Sequence, residues 1–442
     1  MGISQRSWPG LDDHHAATLA MLGVTLGLSL ACSAAIAVAQ SPRLTSTVRD
    51  SAGVQIVSHP GTTDSASSRV VEDLRIGVEM GDSMYMFNRV GQVSIDRQGR
   101  LYVADGAMKI RMYGPDGKVI RAFGRRGQGP GEFMSIDRLW FAGDTLVVTS
   151  LGARRATLFS PAGEMLATWD LRLADGGRAE LLAHRPNGWL AWVRPRSREM
   201  TLTPLTLFQD TVQLAMYDPV TKLPANTVLR RQLGQRRSAQ ADLYPPTPIF
   251  EPQPITAIGA DGTQFHTREG QYTIDVFDPA GRHVRRISRT VAPKPITPKH
   301  VQQLNDYLDA PRSPGGRPRA PRGGEQRLGL QVQEKHPLAP AFAVIGAMIV
   351  APDNSLIVQR IDAIDPIELE WLTGFNAAER SSELIARGPT RWERFDPQGR
   401  YIGAVNLPAQ FQPRAYDGQR ITGVQRDGDG VEFVVRYRLV SM

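Results

Sequence analysis

The sequence predicts an all-β fold, a six-bladed β-propeller, and two recurring patterns lead to this prediction. The first is a strand–turn–strand pattern such as QVSIDRQGRLYVAD, which recurs six times between 92 and 436. The second is a turn of the form aromatic-x-Pro-x-Gly, which recurs five times. Repeated short strands with unequal loops between the copies are typical of propellers, in which each copy forms one four-stranded blade.

The copy with the clearest pattern spans Val93 to Phe133 and contains four short apolar runs, each followed by a turn. Gly99, Gly106 and Gly117 supply a positive φ in these turns and Pro115 fixes φ, so the runs predict four antiparallel strands. The Pro-containing turns lie at 112–120, 158–166, 216–224, 276–284 and 394–402, and only the third lacks the Gly.

The sixth copy ends at Met442 without outer strands, and strands that match them lie at the start of the chain. Residues 45–57 match a strand–turn–strand unit, and Val70 to Ile76 form a further strand. We expect these N-terminal strands to complete the C-terminal blade, which removes the open sheet edges of the ring. The propeller is thereby assigned to 44–440.

Two insertions interrupt the pattern near blades four and five. The first, 294–340, combines a short helix that Thr297 caps with a basic loop at 311–324, rich in Pro and Gly and predicted to be disordered. The second, 361–390, predicts one or two helices that cover the fifth blade. One ring with these helical insertions fits the pattern better than two separate domains.

The N-terminal segment predicts export. Residues 16–39 are apolar and small and end in an Ala-x-Ala motif at 37–39, which predicts a signal peptide over 1–39. We therefore expect a periplasmic or envelope-associated protein. The stretch is also long enough to span a membrane, so an uncleaved anchor is one alternative. Acylation of Cys32, the only cysteine, is another, although Leu30 lies one place too late for that motif.

Composition limits the partners that we expect. The 442 residues include 41% hydrophobic and 22% charged residues, typical of a soluble globular protein. The net charge of +8 is scattered along the chain and favours an anionic partner only weakly. Because an exported protein is separated from nucleic acid, we expect none as a partner. We expect a monomer whose only membrane contact is the N-terminal segment.

One blade position carries the candidate ligand site. Alignment of the copies places Arg194, Arg268, Arg360 and Arg436 at the end of a second strand, six residues after the Gly or Asn of the first turn. Asp105 occupies this position in the first blade. Guanidinium groups that converge at the channel mouth suit a carboxylate, a phosphate or an acidic sugar. The alternative is that each arginine pairs with a carboxylate of the neighbouring blade and holds the ring together.

The loops that lead into the first strands carry aromatic residues. We expect these side chains to pack between blades, and lining a pocket is the alternative. Arg89 and Arg138 follow two of the loops and extend the basic rim of the predicted site. The aromatic residues are Tyr85, Phe87, Phe133, Phe250, Phe342, Phe411 and Tyr416.

The stretch GRRGQGPGEF, together with D-x-x-G-x-L-Y-V-A-D and F-D-x-x-G, resembles the NHL-repeat class of six-bladed propellers. The chain is especially similar to exported bacterial six-bladed propeller proteins of uncharacterised function. The resemblance extends over nearly all of 44–440 and is sharpest at 91–133. It implies a binding platform, and some relatives of the class are lyases or hydrolases.

Three functions remain as hypotheses. A non-catalytic protein that binds an anionic small molecule, glycan or peptide is preferred, and a scaffold for an envelope protein is the second. The third is a metal-dependent lyase or lactonase-type hydrolase with its site in the channel. No cofactor or metal is expected, because the histidines do not share a blade position as the three-His zinc site of NHL-like lyases requires. These histidines are 59, 184, 266, 283, 300 and 336.

Overall fold

The computed structural model defines the strands and turns of the chain between 46 and 442. It describes residues 46–59, 66–150, 152–185, 188–194, 207–237, 255–268, 270–302, 339–361 and 389–442, with only the backbone at 194, 207–212 and 225–237. The predicted signal peptide over 1–39, the basic loop at 311–324 and nearly all of the 361–390 insertion lie outside these residues. Within them, no helix is long and apolar enough to cross a membrane.

Most strands belong to consecutive antiparallel groups of four, here called strand sets and numbered in chain order. Three strands precede the sets: β1 (Thr47–Ser51), β2 (Val54–His59) and β3 (Ser68–Ile76). The first set contains β4 (Val90–Ile95), β5 (Leu101–Asp105), β6 (Ile110–Tyr113) and β7 (Val119–Phe123). Two short strands follow, β8 (Arg125–Arg126) and β9 (Glu132–Phe133). The second set contains β10 (Arg138–Ala142), β11 (Thr145–Ser150), β12 (Arg155–Phe159) and β13 (Met165–Asp170).

The remaining sets follow the same order. The third contains β14 (Arg178–Arg185), β15 (Gly188–Arg194), β16 (Leu207–Asp218) and β17 (Leu223–Arg237). The fourth contains β18 (Thr256–Ile258), β19 (Gln264–Thr267), β20 (Thr273–Phe277) and β21 (His283–Arg289). The fifth contains β22 (Ile345–Val350), β23 (Leu356–Arg360), β24 (Thr390–Phe395) and β25 (Tyr401–Leu407). The sixth contains β26 (Phe411–Tyr416), β27 (Arg420–Arg426), β28 (Glu432–Ser441) and, as its outer strand, β3.

Neighbouring strand sets pack face to face, and the last set packs against the first. Val424 and Val434 of the sixth set share one buried apolar cluster with Val93 and Leu101 of the first. Similar clusters join the first set to the second, the second to the third, the fourth to the fifth and the fifth to the sixth. Ile258 of the fourth set packs on a cluster of the third. Sheets that close into a ring in this way form a β-propeller.

The N-terminal strands divide between two sets. The predicted strand at 70–76 is confirmed as the closing strand, since β3 pairs antiparallel with β28 from Val434↔Ile76 to Ser441↔Ser68. The prediction that 45–57 also completes this set is wrong, because β2 pairs in parallel with β21 of the fourth set. The sixth set lacks only one strand, which β3 supplies, so the β1–β2 hairpin lies on another sheet edge.

The prediction for 45–57 was wrong because the sequence pattern did not reveal the first strand of the sixth set. The sixth copy of the strand–turn–strand pattern was taken to begin at 421, whereas β26 precedes β27 and joins it through a tight turn at Asp417 and Gly418. Pro413 lies within β26, and proline argues against a strand assignment except at an edge or a bulge. The pairing register shifts between Pro413 and Ala415, so this proline lies at such an irregularity.

The repeated Pro-containing turns contact the strand set that precedes their own. In four of them the carbonyl of the turn proline accepts a hydrogen bond from a side chain of the preceding set. Tyr102 donates to Pro161 over 2.6 Å and Arg285 to Pro397 over 2.7 Å. Arg436 donates to Pro115 and Arg185 to Pro279. The turn that defines the sequence repeat is therefore one of the contacts that hold consecutive sets together.

One helical turn is described in the first predicted insertion. Residues 298–302 are helical, and the carbonyl of Thr297 accepts hydrogen bonds from the amides of His300 and Val301. Pro298 occupies the first helical position, where its missing N–H costs no hydrogen bond. The rest of this insertion up to 338 lies outside the described residues.

The β1–β2 hairpin is held against the fourth and fifth sets by a buried histidine. His59 is 1% exposed, and its Nε2 lies 3.0 Å from the carbonyl of Gly399. Since a carbonyl only accepts, neutral His59 carries its proton on Nε2, and Nδ1 accepts from the hydroxyl of Ser46 at 3.0 Å. Burial lowers the pKa of His59 below its ordinary value, and the nearby Arg289 charge adds to this effect.

We expect the hairpin contact to weaken in mild acid. Because the folded-state pKa of His59 is lowered, its contribution to stability is complete above the unfolded pKa of about 6.5 and is lost as the pH falls below it. The melting temperature of the wild type should therefore fall relative to that of the His59→Gln variant between about pH 7.5 and about pH 5.5. A difference between the two melting temperatures that stays constant with pH would contradict this expectation.

Candidate functional site

Most of the predicted arginines lie at one end of the propeller, here called the upper face, where first strands begin and second strands end. Asp105 pairs with Val90, Arg360 with Ile345 and Arg194 with Arg178, in each case the last residue of a second strand with the start of a first strand. Arg268 directly follows β19 at the same end. The side chain of Arg194 lies outside the described residues.

The two arginines of this group whose side chains are described form ion pairs within their own strand sets. Arg268 Nε lies 2.7 Å from a carboxylate oxygen of Asp275, and Arg360 Nη1 lies 3.3 Å from Glu393. In both cases the carboxylate belongs to the third strand, directly opposite the residue two places before the arginine. This diagonal is within reach of long side chains. The ion pairs therefore join the second and third strands of one set, rather than neighbouring sets.

Asp105 has the same arrangement with the charges exchanged. Arg111 on the third strand pairs with Val103, two residues before Asp105, and its Nη1 lies 2.5 Å from the Asp105 carboxylate. The side chains are 0% and 8% exposed for Asp105 and Arg111, respectively. Burial raises the pKa of Asp105, and the Arg111 charge opposes that rise. Asp105 is thus one partner of a buried ion pair in the first set.

Arg436 does not lie at the end of a second strand. The sixth sequence copy corresponds to the second and third strands of its set, whereas the alignment took it as the first and second. Arg436 lies in β28, the third strand of its set. Its Nε lies 2.7 Å from Asp73 of β3, and its Nη1 contacts the carbonyl of Pro115 in the first set. This arginine therefore belongs to the ring closure.

The other two predicted residues differ in their contacts. Arg138 begins β10, and its Nη1 lies 3.5 Å from Glu180 of the third set, while its Cζ lies 5.3 Å from the centroid of the Trp140 ring. Arg89 precedes β4, is exposed, and accepts a hydrogen bond from the amide of Gly106 through its carbonyl. Arg138 thus joins two strand sets, and Arg89 lies on the rim of the upper face.

The aromatic residues of the loops pack inside the protein wherever they are described. Phe133, Phe342 and Phe411 are fully buried, and Tyr85 and Phe87 pack against Tyr113. Tyr416 is also buried, and Phe250 lies outside the described residues. These side chains therefore contribute to the core at the positions where the sequence left a pocket as the alternative.

A cleft at the upper face contains functional candidates that the sequence analysis did not identify. It has a volume of about 430 Å³ and lies between the loop at 124–131 and the outer strand of the second set. In the sequence analysis, that loop appeared only as part of the motif that carries the family resemblance. The cleft is lined by Gln128, Pro130, Ala153, Arg154, Arg155, Met165, Thr168, Asp170 and Arg172.

The loop beside the cleft has a defined conformation that Glu132 maintains. One carboxylate oxygen of Glu132 accepts from the amide of Gly129 at 2.8 Å, and the other accepts from Arg125 at 2.7 Å. The amide of Gly129 and then the Arg125 guanidinium lower the pKa of Glu132. A Cβ at Gly127 would lie 2.0 Å from a Glu132 carboxylate oxygen, so a larger residue there would displace the Glu132 carboxylate. Arg155 Nη1 donates to the carbonyls of Gln128 and Gly129 at 2.8 and 3.2 Å.

The cleft carries an excess of positive charge. Asp170 accepts hydrogen bonds from Arg172 at 2.9 Å and from Lys222 Nζ at 3.1 Å. Burial alone would raise the pKa of Asp170, but these cations outweigh it and lower the pKa to about 2. Arg154 and Arg155 form no ion pair within the part of the chain that the structure describes. The lining contains three arginines and one carboxylate, so it keeps an excess of positive charge that a ligand can neutralise.

The described residues contain no group of three or more His, Cys, Asp or Glu side chains with the geometry of a metal site.

Comparison with known proteins identifies similar structures only. No family model and no curated protein matches the sequence. A protein described as exported from Bacteroides fragilis is 11% identical over 87% of this chain and 100% of its own, with a TM-score of 0.44. A member of the DUF4221 family from Bacteroides vulgatus is 9% identical over 85% and 99%, with a TM-score of 0.47. BamB from Moraxella catarrhalis is 12% identical over 89% and 96%, with a TM-score of 0.31.

Proposed function

We propose that the chain is an exported six-bladed β-propeller of the NHL-like class that binds an anionic ligand without catalysis. Six strand sets, each with four strands, support the number of blades. The repeated Pro-containing turns and the GRRGQGPGEF loop support the class. The apolar segment at 16–39 with its Ala-x-Ala motif supports export to the periplasm or envelope.

The observation that carries the binding proposal is the cleft beside the 124–131 loop. Arg154, Arg155 and Arg172 line it together, and guanidinium groups bind carboxylates and phosphates through two parallel hydrogen bonds. Met165 and Pro130 add an apolar wall. A ligand that combines an anionic group with an apolar part therefore fits these side chains.

The cleft is a better candidate than the predicted arginine ring. An anion at Arg268 or Arg360 would have to displace Asp275 or Glu393, and breaking a charge pair that is partly buried is costly. By contrast, Arg155 donates to two backbone carbonyls, and these neutral acceptors leave its charge uncompensated. A ligand can therefore bind Arg155 without displacing a carboxylate.

Citrate binding to the full-length protein tests the proposal. Removing a charge-assisted hydrogen bond costs about 1.5–3 kcal/mol, so the Arg154→Ala/Arg155→Ala variant should bind citrate at least about tenfold more weakly in titration calorimetry at low salt. Arg97→Ala is the matched control, because Arg97 is exposed in the turn after β4 and forms only a surface ion pair with Asp144. Equal citrate affinity for the double variant and the wild type would contradict the proposal.

A further inference from the structure

The outer strand of the second set, β13, has an open hydrogen-bonding edge among the described strands. The amide of Leu171 donates to the carbonyl of Arg154 at 2.7 Å, so the alternate residue Trp169, which pairs with Ala156, also points its backbone groups toward β12. Antiparallel pairs alternate between bonded and non-bonded positions. The N–H and C=O groups of Thr168 and Asp170 therefore point outward, away from the sheet.

The same fold already adds a strand at an equivalent edge. In the fourth set, β2 pairs in parallel with the outer strand β21, from Gln55↔Arg285 to His59↔Arg289. The N-terminal hairpin thus extends that set to six strands. An outer strand of this propeller can therefore accept a further strand from outside its own set.

The open edge of β13 combines exposed apolar side chains with the positive charge of the cleft. Met165 and Leu166 are 46% and 57% exposed, and consecutive apolar residues at a free sheet edge favour pairing with another chain. Thr168 and Asp170 line the cleft that contains Arg154 and Arg155. A strand added to β13 would therefore pass beside these arginines.

We propose that β13 binds an extended acidic peptide segment of a partner protein as an additional strand, with its carboxylates in the arginine cleft. This inference rests on the proposed function and specifies the class of its ligand. A peptide backbone satisfies the outward N–H and C=O groups of Thr168 and Asp170, which a glycan or a small anion cannot do in register. Alternate acidic side chains neutralise the excess charge, and the residues between them cover Met165 and Leu166.

A proline substitution separates strand addition from charge attraction. Thr168→Pro removes the outward N–H, which makes no hydrogen bond to β12, and proline is tolerated on edge strands. Thr168→Ala removes the same side chain and keeps the N–H, so it is the matched control. The probe is a fluorescent peptide of about eight residues, the length of an ordinary strand, in which Glu and Val alternate. Its binding to the full-length protein is measured by fluorescence anisotropy.

We expect Thr168→Ala to bind this peptide as the wild type does and Thr168→Pro to bind it at least about fivefold more weakly. A peptide with alternate N-methylated amides should lose affinity for the wild type by a similar factor. This second measurement removes the complementary hydrogen bonds, which the peptide amides donate to the outward carbonyls of β13. It leaves the protein unchanged, so it decides the proposal even where Thr168→Pro lowers the melting temperature. A Lys/Val peptide should not bind.

The outcomes distinguish the two proposals. If Thr168→Pro and the N-methylated peptide both bind as their controls do, strand addition is wrong. If the Arg154→Ala/Arg155→Ala variant nevertheless loses citrate, the anion site itself stands. If that variant binds citrate and the acidic peptide as the wild type does, both the proposed function and this inference fail.

Discussion

Replacing Glu393 by Ala should lower the free energy of unfolding by about 3–5 kcal/mol, because the change removes a buried carboxylate that two arginines share. Glu393 is 0% exposed and contacts both Arg289, also 0% exposed, and Arg360, 9% exposed. The Arg289 guanidinium is enclosed by Tyr401, whose ring centroid lies 4.5 Å from Cζ.

The cost of this change should far exceed that of removing an exposed carboxylate. Asp144 is 71% exposed and lies 3.6 Å from Arg97, so Asp144→Ala should change the stability by less than about 1 kcal/mol. Urea unfolding of the two variants beside the wild type measures both values. Similar losses for the two variants would show that the Glu393 cluster contributes no more than a surface ion pair.

The position of the cluster explains its effect on the fold. Glu393 and Arg360 belong to the fifth set, whereas Arg289 ends β21 of the fourth set. The ion pair of Arg360 with Glu393 lies within the fifth set. Glu393 also pairs with Arg289, across the boundary between the fourth and fifth sets. Removing Glu393 should therefore loosen the contact between two sets as well as the upper face of the fifth.

Local sequence signals predicted the parts of the fold that depend on short-range chemistry. The Pro-containing turns were found because Gly163 and its equivalents require a positive φ that few other residues adopt. The closing strand at 70–76 was found because the last copy lacks an outer strand. By contrast, the edge on which the β1–β2 hairpin lies depends on tertiary packing, and no local pattern specifies it.

The candidate site, like the fold, was predicted from the sequence only in part. Alignment correctly placed Asp105 and Arg360 at equivalent strand ends, but Asp105 looked like an exception among arginines. The sequence contains the residues that explain this exception, since Arg111 and Glu393 are the oppositely charged partners of Asp105 and Arg360 on the third strands. Arg436 was misplaced because Pro413 concealed a strand. The arginine cleft could not be predicted, because it forms only when the 124–131 loop meets the second set.

The substitution Gly163→Ala tests whether the Pro-containing turns hold consecutive strand sets together. Gly163 has a φ of +80°, and an added Cβ would lie 2.7 Å from the Phe123 ring of the first set. Phe123 packs against Phe159 with a centroid distance of 4.9 Å, so its ring cannot move away freely. The strained backbone costs about 1–2 kcal/mol and the overpacking about 1–3 kcal/mol more.

Gly143 in the same strand set provides the matched control. It has a φ of +62°, but no atom lies within 4 Å of an added Cβ. Gly143→Ala should therefore show the backbone cost alone, and the difference between the two variants in urea unfolding should isolate the contact with the first set. Equal losses would mean that the turn does not depend on its close approach to Phe123.

The contact between Gly163 and Phe123 also bears on the candidate site. Phe123 ends β7 and directly precedes the loop at 124–131, whose carbonyls accept hydrogen bonds from Arg155. A methyl group that displaces Phe123 would shift the start of this loop and widen the cleft. Gly163→Ala should therefore weaken citrate binding as well as stability, whereas Gly143→Ala, located in the turn between β10 and β11, should leave citrate affinity unchanged.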